Sequence, residues 1–116
     1  MRVSVNPEML EVKSCRGSII KEIKIFNVEM PQAPIYWIKL RESKKGTDKL
    51  SLYKPHPNYI YNYDSLLLNE KSVYQIIIPN NHTIAKLYLY TGEKGEVISV
   101  KNNTPCLKEP IKGIDR

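Results

Sequence analysis

Apolar and polar side chains alternate with a period of two along most of this chain, and this pattern restricts the fold more than any other feature. Val3 and Val5 share one face of their segment, and Leu10 and Val12 share one face of the next. Successive side chains of a β-strand point to opposite faces, whereas a helix needs a period near 3.6 residues. No apolar stripe of helical spacing and length occurs. The pattern therefore predicts an all-β protein.

Nine segments have the composition and length of short strands and are separated by proline, glycine and polar turn residues. They are Arg2–Val5, Met9–Ser14, Ser18–Val28, Ile35–Arg41, Leu50–Tyr53, Tyr59–Tyr63, Val73–Ile78, Ile84–Tyr90 and Glu96–Val100. Turn signals about every 8–12 residues favour an immunoglobulin-like two-sheet β-sandwich of about seven to nine short antiparallel strands, because each sheet must bury one apolar face. A small barrel is the main alternative.

The predicted core consists of the apolar residues that share one face of these segments. They are Val5, Leu10, Val12, Ile23, Ile25, Trp37, Leu52, Tyr74, Ile76, Leu87 and Leu89. Trp37 is the only tryptophan and lies in the most apolar segment, so we expect it to be mostly buried between the two sheets. Replacement of a buried tryptophan by alanine costs about 3–5 kcal/mol.

A chain of 116 residues has the size of one domain. We expect the β-sandwich to occupy residues 1–100. Beyond it the composition shifts to Asn, Pro, Lys and Gly, which predicts an irregular tail over 101–116. Leu66–Glu70 is the one place where a short helical turn can form, because Asp64 or Ser65 could cap it.

The chain is basic, with 18 Lys and Arg against 12 Asp and Glu and a net charge of +6. This balance suits nucleic acid, anionic lipid or an acidic protein, but it also suits a surface that carries charge for solubility. The longest apolar runs, Ile35–Ile38 and Leu87–Tyr90, are far shorter than the roughly 20 residues of a membrane-spanning helix. No membrane span is expected.

Motifs that indicate catalysis are missing from the sequence. His56 and His82 have no carboxylate or second histidine at metal-ligand spacing, and Cys15 has no base beside it in sequence. No GxSxG, HExxH, Walker-type loop or GxGxxG occurs. We therefore expect a protein that is not an enzyme and that needs no metal or cofactor.

Half of the eight tyrosines lie between positions 53 and 63, and this segment is the candidate partner-binding site. Its candidate residues are Tyr53, Lys54, His56, Tyr59, Tyr61 and Tyr63. Tyrosine supplies a large ring and a hydroxyl, and it is enriched at protein interfaces. Alternation places Ile60 on the face opposite to the last three tyrosines. The alternative is that the tyrosine face belongs to the core and Ile60 lies outside.

A nucleic-acid partner would use the same rings as stacking platforms and Lys49, Lys54 and Lys71 as phosphate ligands. The four arginines of the chain are scattered, so another protein is the expected partner.

Cys15 and Cys106 are the only cysteines. If they pair, the disulfide closes a loop of roughly 90 residues and stabilises the fold by about 4–5 kcal/mol; the alternative is that the two thiols do not pair.

The middle of the chain resembles small bacterial periplasmic lipoproteins, a group that includes candidate immunity proteins of type VI secretion systems. The residues that carry this resemblance are Pro34-Ile35-Tyr36-Trp37-Ile38, Leu52-Tyr53-Lys54-Pro55-His56-Pro57 and Leu68-Asn69-Glu70-Lys71-Ser72-Val73-Tyr74-Gln75-Ile76. The resemblance implies a protein of the periplasm or cell envelope that binds a toxin. A structural or adaptor β-sandwich within a larger assembly is the alternative function.

A second resemblance concerns the fold. Immunoglobulin-like chaperone and major-sperm-protein-type domains are similar to this chain in two segments, Val3-Ser4-Val5-Asn6-Pro7 and Ile23-Lys24-Ile25-Phe26-Asn27.

The N-terminal segment, Met1 to Asn6, predicts a strand and contains no charged-then-apolar leader. The expectation is either a cytoplasmic protein or a mature domain whose leader was removed, and a lipid anchor is compatible with the second case.

Overall fold

The computed structural model describes residues 2–62, 66–79 and 84–102, and nine strands lie in this part of the chain. The strands are β1 (Val3–Asn6), β2 (Glu11–Ser14), β3 (Glu22–Asn27), β4 (Tyr36–Leu40), β5 (Lys49–Ser51), β6 (Tyr59–Tyr61), β7 (Val73–Pro79), β8 (Ile84–Thr91) and β9 (Val97–Lys101). Each lies at one of the nine predicted segments, and the ends differ by a few residues. The prediction from the period of two is confirmed.

The strands form two antiparallel sheets. The small sheet has the order β1-β2-β5, and the large sheet has the order β6-β4-β3-β7-β8-β9. The predicted segment Ser18–Val28 contains the shorter strand β3, and Ile20, which precedes β3, forms an isolated bridge with Thr47. Buried side chains of both sheets join in one apolar cluster, so the architecture is the predicted β-sandwich.

Every predicted core residue except Trp37 is buried. In β4 the residues that face the core are Tyr36 and Ile38, whereas Trp37 is half-buried on the other face of the sheet. The prediction that Trp37 lies between the two sheets is wrong. Adjacent residues of a strand point to opposite faces, so Trp37 must face outward once its two neighbours face inward. Lys39, two positions further on, shares its face.

The chain crosses between the two sheets on either side of β5. β4 and β6 are neighbours in the large sheet, but β5, which lies between them in sequence, pairs with β2 in the small sheet. Residues 52–58 make the return crossing and contain Pro55 and Pro57. We call them the proline loop. It ends directly at β6, where Tyr59 pairs with Leu40.

Two further expectations concern the connections. Leu66 to Asn69 have no regular structure, so the helical turn does not form there, and the proposed caps Asp64 and Ser65 lie outside the described residues. Residues 92–96 connect β8 to β9, and Gly95 in this connection has a positive φ. From position 103 onward the predicted tail also lies outside the described residues, whereas Lys101 still belongs to β9.

Across the described ranges, no helix is both long and apolar enough to span a bilayer.

Candidate binding surface at the proline loop

Tyr59 anchors the proline loop from the core side. Its side chain is 2% exposed, and its hydroxyl donates a hydrogen bond of 2.6 Å to the carbonyl oxygen of Ile20. The same hydroxyl accepts a hydrogen bond of 2.9 Å from the backbone N–H of Thr47. Desolvation by burial raises the pKa of this phenol, the hydrogen bond with Thr47 lowers it, and Tyr61 raises it further. Tyr59 therefore supports the surface and supplies no exposed contact area.

Tyr61 holds the middle of the loop. Its hydroxyl accepts a hydrogen bond of 2.8 Å from the backbone N–H of His56, and its ring centroid lies 6.4 Å from that of Tyr36. Burial raises the pKa of Tyr61, although the hydrogen bond with His56 lowers it. Burial also raises the pKa of Tyr36 to about 12, and Tyr61 adds to this shift. The phenols therefore stay protonated at neutral pH and keep their hydrogen bonds.

His56 stabilises the turn inside the loop. Its Nδ1 accepts a hydrogen bond of 3.0 Å from the backbone N–H of Asn58, and its carbonyl accepts one of 3.1 Å from the N–H of Tyr59. The imidazole also packs edge-on against the ring of Tyr59, with a centroid distance of 5.2 Å. Because Nδ1 accepts, the neutral imidazole carries its proton on Nε2. His56 therefore acts as a structural residue of the loop and is half-buried.

Arg41 and Asn58 connect the loop to the end of β4. The Nε of Arg41 donates to the carbonyl of Pro57 at 3.2 Å, and its backbone N–H donates to the carbonyl of Asn58 at 2.8 Å. The side-chain amide of Asn58 donates to the carbonyl of Lys45 at 2.9 Å. Ser51 adds a further connection, because its Oγ accepts from the backbone N–H groups of residues 53 and 54. Both ends of the loop are thus tied to neighbouring strands.

The exposed part of this surface differs from the set predicted from the sequence. Tyr53 and Ile60 are 49% and 40% exposed, and Lys54, Pro55 and Pro57 are exposed as well. A shallow depression of about 390 Å³ lies beside them, lined by Arg41, Pro55, His56, Pro57, Tyr59, Ile60 and Tyr61. For β6 the structure shows the alternative arrangement, in which the tyrosine face is turned toward the core and Ile60 lies outside.

The predicted candidates thus divide into two groups. Tyr53 and Lys54 are available to a partner, whereas Tyr59, Tyr61 and His56 hold the backbone in place. Tyr63 lies outside the described residues. Arg41 was missed because it ends the predicted strand before the loop, and only the pairing of β4 with β6 brings it beside Pro57.

The described ranges contain one cysteine, Cys15, and one histidine, His56. No group of three or more His, Cys, Asp and Glu residues could hold a metal ion there. His82 lies outside these ranges. A second depression of about 300 Å³ is lined by Arg2, Cys15, Arg16 and Ser18. Cys106 also lies outside the described residues, so the pairing of the two cysteines stays a prediction.

No protein-family model, curated protein or solved structure matches the chain.

Proposed function

We propose that this protein is a non-catalytic, protein-binding β-sandwich of the bacterial cell envelope, and that it acts as an immunity protein that neutralises a secreted toxin by occupying it. One observation carries the binding part of the proposal: the backbone of the proline loop is hydrogen-bonded to the side chains of Arg41 and Tyr61, while Tyr53, Lys54 and Ile60 remain exposed. The cell-envelope and toxin parts rest on the resemblance of residues 34–76 to periplasmic lipoproteins.

Rigidity matters because an ordered loop loses little conformational entropy on binding. Pro55 and Pro57 restrict the backbone of the free loop, and the hydrogen bonds to Tyr61 and from Arg41 fix its position. The exposed ring of Tyr53 supplies contact area with few rotatable bonds. Lys54 beside it adds a positive charge, which suits an acidic patch on the partner.

The test is co-expression with the toxin candidate encoded next to the gene. We expect the wild-type protein to restore growth and to bind the purified toxin in calorimetry. Tyr53→Ala and Ile60→Ala should each weaken binding by about 2 kcal/mol, as hot-spot residues do, without a change in melting temperature. Met30→Ala is the matched control, because Met30 is exposed in the turn that joins β3 to β4, at the far end of β4 from the proline loop.

Two results would contradict this proposal. One is that the neighbouring toxin is neither bound nor neutralised. The other is tight binding that neither Tyr53→Ala nor Ile60→Ala weakens, which would move the contact surface away from the proline loop. Tyr59→Ala is not a suitable probe, because the loss of its core contacts would unfold the loop and reduce binding indirectly.

The edge of the large sheet favours a second function, that of an adaptor in a larger assembly. In the described part of the chain, β9 pairs only with β8, and Ile98 on it is 63% exposed. An exposed edge strand can accept a strand from a neighbouring subunit. Two results together would support this function. Genes for a pilus or secretion apparatus lie beside this gene, and the protein assembles with one of their products in analytical ultracentrifugation. A toxin gene and a monomeric protein would contradict it.

A further inference from the structure

The outer face of the large sheet, which is turned away from the core, collects aromatic rings from three strands. Trp37 of β4, Phe26 of β3 and Tyr88 and Tyr90 of β8 occupy positions between the core-facing residues, and all four are half-buried. The strand register joins them in rows. Lys24 lies opposite Trp37 on one side and Ile77 on the other. Phe26, Gln75, Tyr88 and Lys101 form the next row.

Two of these four rings, Trp37 and Tyr88, make contacts with polar side chains of the same face. The Nζ of Lys39 lies 5.3 Å from the centre of the Trp37 ring, within the range of a cation–π contact. The side-chain amide of Gln75 donates a hydrogen bond of 3.0 Å to the hydroxyl of Tyr88. Adjacent strands lie about 4.8 Å apart, so Phe26 and Tyr88, two strands apart, are separated by roughly 10 Å. The rings therefore form separate platforms on one face of the sheet.

The charge of this face is strongly unbalanced. Its strand positions carry four lysines, Lys24, Lys39, Lys86 and Lys101, and one carboxylate, Glu22. The carboxylate of Glu22 lies 3.8 Å from the Nζ atoms of both Lys24 and Lys39. An excess of positive charge remains, and the complementary ligand is an anion that also presents flat apolar surfaces.

We propose that the outer face of the large sheet binds single-stranded nucleic acid, a function beyond the protein binding proposed for the proline loop. Bases stack on aromatic side chains while lysines neutralise the phosphates, and this combination is typical of surfaces that bind single strands without sequence preference. For the Tyr53–Tyr63 segment, the absence of an arginine cluster favours a protein partner over nucleic acid. The outer face of the large sheet presents a different set of rings, with lysines between them.

A protein partner fits this face less well. The centre of a protein interface is depleted in lysine, whereas here Lys24 lies between Trp37 and Ile77 in the middle of the sheet. The chain beyond position 102 is also a poor occupant, because its residues 103–116 contain three basic and two acidic side chains and offer no complementary charge.

The test uses the full chain and fluorescently labelled oligonucleotides, a 20-mer of dT and an RNA of the same length. We expect saturable binding in fluorescence anisotropy and quenching of intrinsic fluorescence, since Trp37 is the only tryptophan. The logarithm of the affinity should fall with the logarithm of salt concentration with a slope of about −2 to −3, corresponding to three or four phosphate contacts. Trp37→Ala and Tyr88→Ala should each weaken binding by roughly 10-fold.

A pair of charge reversals distinguishes binding at this face from general electrostatic attraction to a basic protein. Lys86→Glu changes the outer face, and Lys13→Glu makes the same change of net charge on the exposed part of β2 in the small sheet. We expect Lys86→Glu to weaken binding at least 5-fold and to reduce the salt slope, with Lys13→Glu close to wild type. Melting temperatures of all variants check that each one is folded.

The proposal is overturned if single strands do not bind at low salt, or if they bind without quenching Trp37. It is also overturned if both charge reversals weaken binding equally, or if polyglutamate or vesicles of phosphatidylserine and phosphatidylcholine bind the face more tightly than the oligonucleotides do. Tyr53→Ala should leave oligonucleotide binding unchanged. Tyr53 lies outside the large sheet, so toxin binding that depends on Tyr53 can fail or succeed independently of this result.

Discussion

The hydroxyl of Tyr59 and the carbonyl oxygen of Ile20 lie 2.6 Å apart and form a hydrogen bond between residues 39 positions apart in sequence. Ile20 belongs to the segment that enters β3, and Tyr59 begins β6 at the edge of the large sheet. The hydroxyl also accepts from Thr47, on the segment that leads into β5. The hydroxyl of Tyr59 thus connects three segments of the chain, at the point where the proline loop enters β6.

We predict that Tyr59→Phe lowers the free energy of unfolding by about 2 kcal/mol, because the partly buried N–H of Thr47 and the buried carbonyl of Ile20 lose their hydroxyl partner. Urea denaturation followed by circular dichroism measures this loss. Tyr53→Phe removes the same atom from an exposed ring and should leave stability nearly unchanged. Equal stability of the two variants would show that the Tyr59 hydrogen bonds do not stabilise the fold.

Two adjacent residues of β4 should respond very differently to truncation. Ile38→Ala removes a fully buried side chain and should cost about 2–5 kcal/mol. Trp37→Ala should cost only about 1 kcal/mol, because it removes a half-buried ring and its cation–π contact with Lys39. Urea denaturation midpoints of the two variants decide the matter. A larger loss for Trp37→Ala than for Ile38→Ala would place the indole in the core after all.

Stability should fall at alkaline pH through the buried tyrosines. Desolvation raises the pKa of Tyr36 from 10.0 to about 12, so between these pH values the folded state keeps a proton that the unfolded state has lost. The unfolded state binds fewer protons in this window, and the free energy of unfolding therefore decreases as pH rises through it. Tyr59 and Tyr61 have raised pKa values and act in the same direction.

Phenolate absorbance at increasing pH measures the ionisation, and urea denaturation at the same pH values measures the stability. The decline of stability between pH 10 and pH 12 should be smaller in Tyr36→Phe, which lacks the ionising group. An identical decline in the variant would contradict the prediction.

Two glycines test the difference between backbone strain and a steric clash. Gly17 and Gly95 both have positive φ, 71° and 79°, so alanine is strained at either position. A Cβ at Gly17 would meet nothing within 4 Å, whereas a Cβ at Gly95 would lie 2.6 Å from the carbonyl oxygen of Leu68. We expect Gly17→Ala to cost about 1 kcal/mol and Gly95→Ala roughly 3 kcal/mol in thermal unfolding. Equal losses of stability in the two variants would mean that the backbone at Leu68 shifts easily and makes room for the added Cβ.

Pairing of Cys15 with Cys106 would stabilise the protein by about 4–5 kcal/mol through the roughly 90-residue loop that it closes. We predict that dithiothreitol lowers the melting temperature, and that intact-mass measurement without reductant shows a mass lower by two hydrogens. The Cys15→Ser variant should melt at the temperature of the reduced wild type. An unchanged melting temperature in reductant would contradict the pairing.

Much of the fold follows from the sequence because strand alternation is a local property. The period of two predicts that Val5, Ile25 and Ile76 lie in the core, and all three are buried. The proline loop was also recognisable as a stiff, tyrosine-rich segment. In β4 the alternation itself indicates an outward Trp37, because Lys39 shares its face while Ile38 lies on the other.

Other features depend on pairings between distant segments, which no local pattern encodes. The sequence by itself determined where the nine short strands of the described ranges lie and which residues most of them bury, because a strand must turn one apolar face away from water. Only the tertiary structure decided that β5 joins the small sheet, that Tyr59 and Tyr61 support the proline loop from within, and that four rings and four lysines share one outer face. Strand order and register produce these arrangements, and both are set by packing of the whole core.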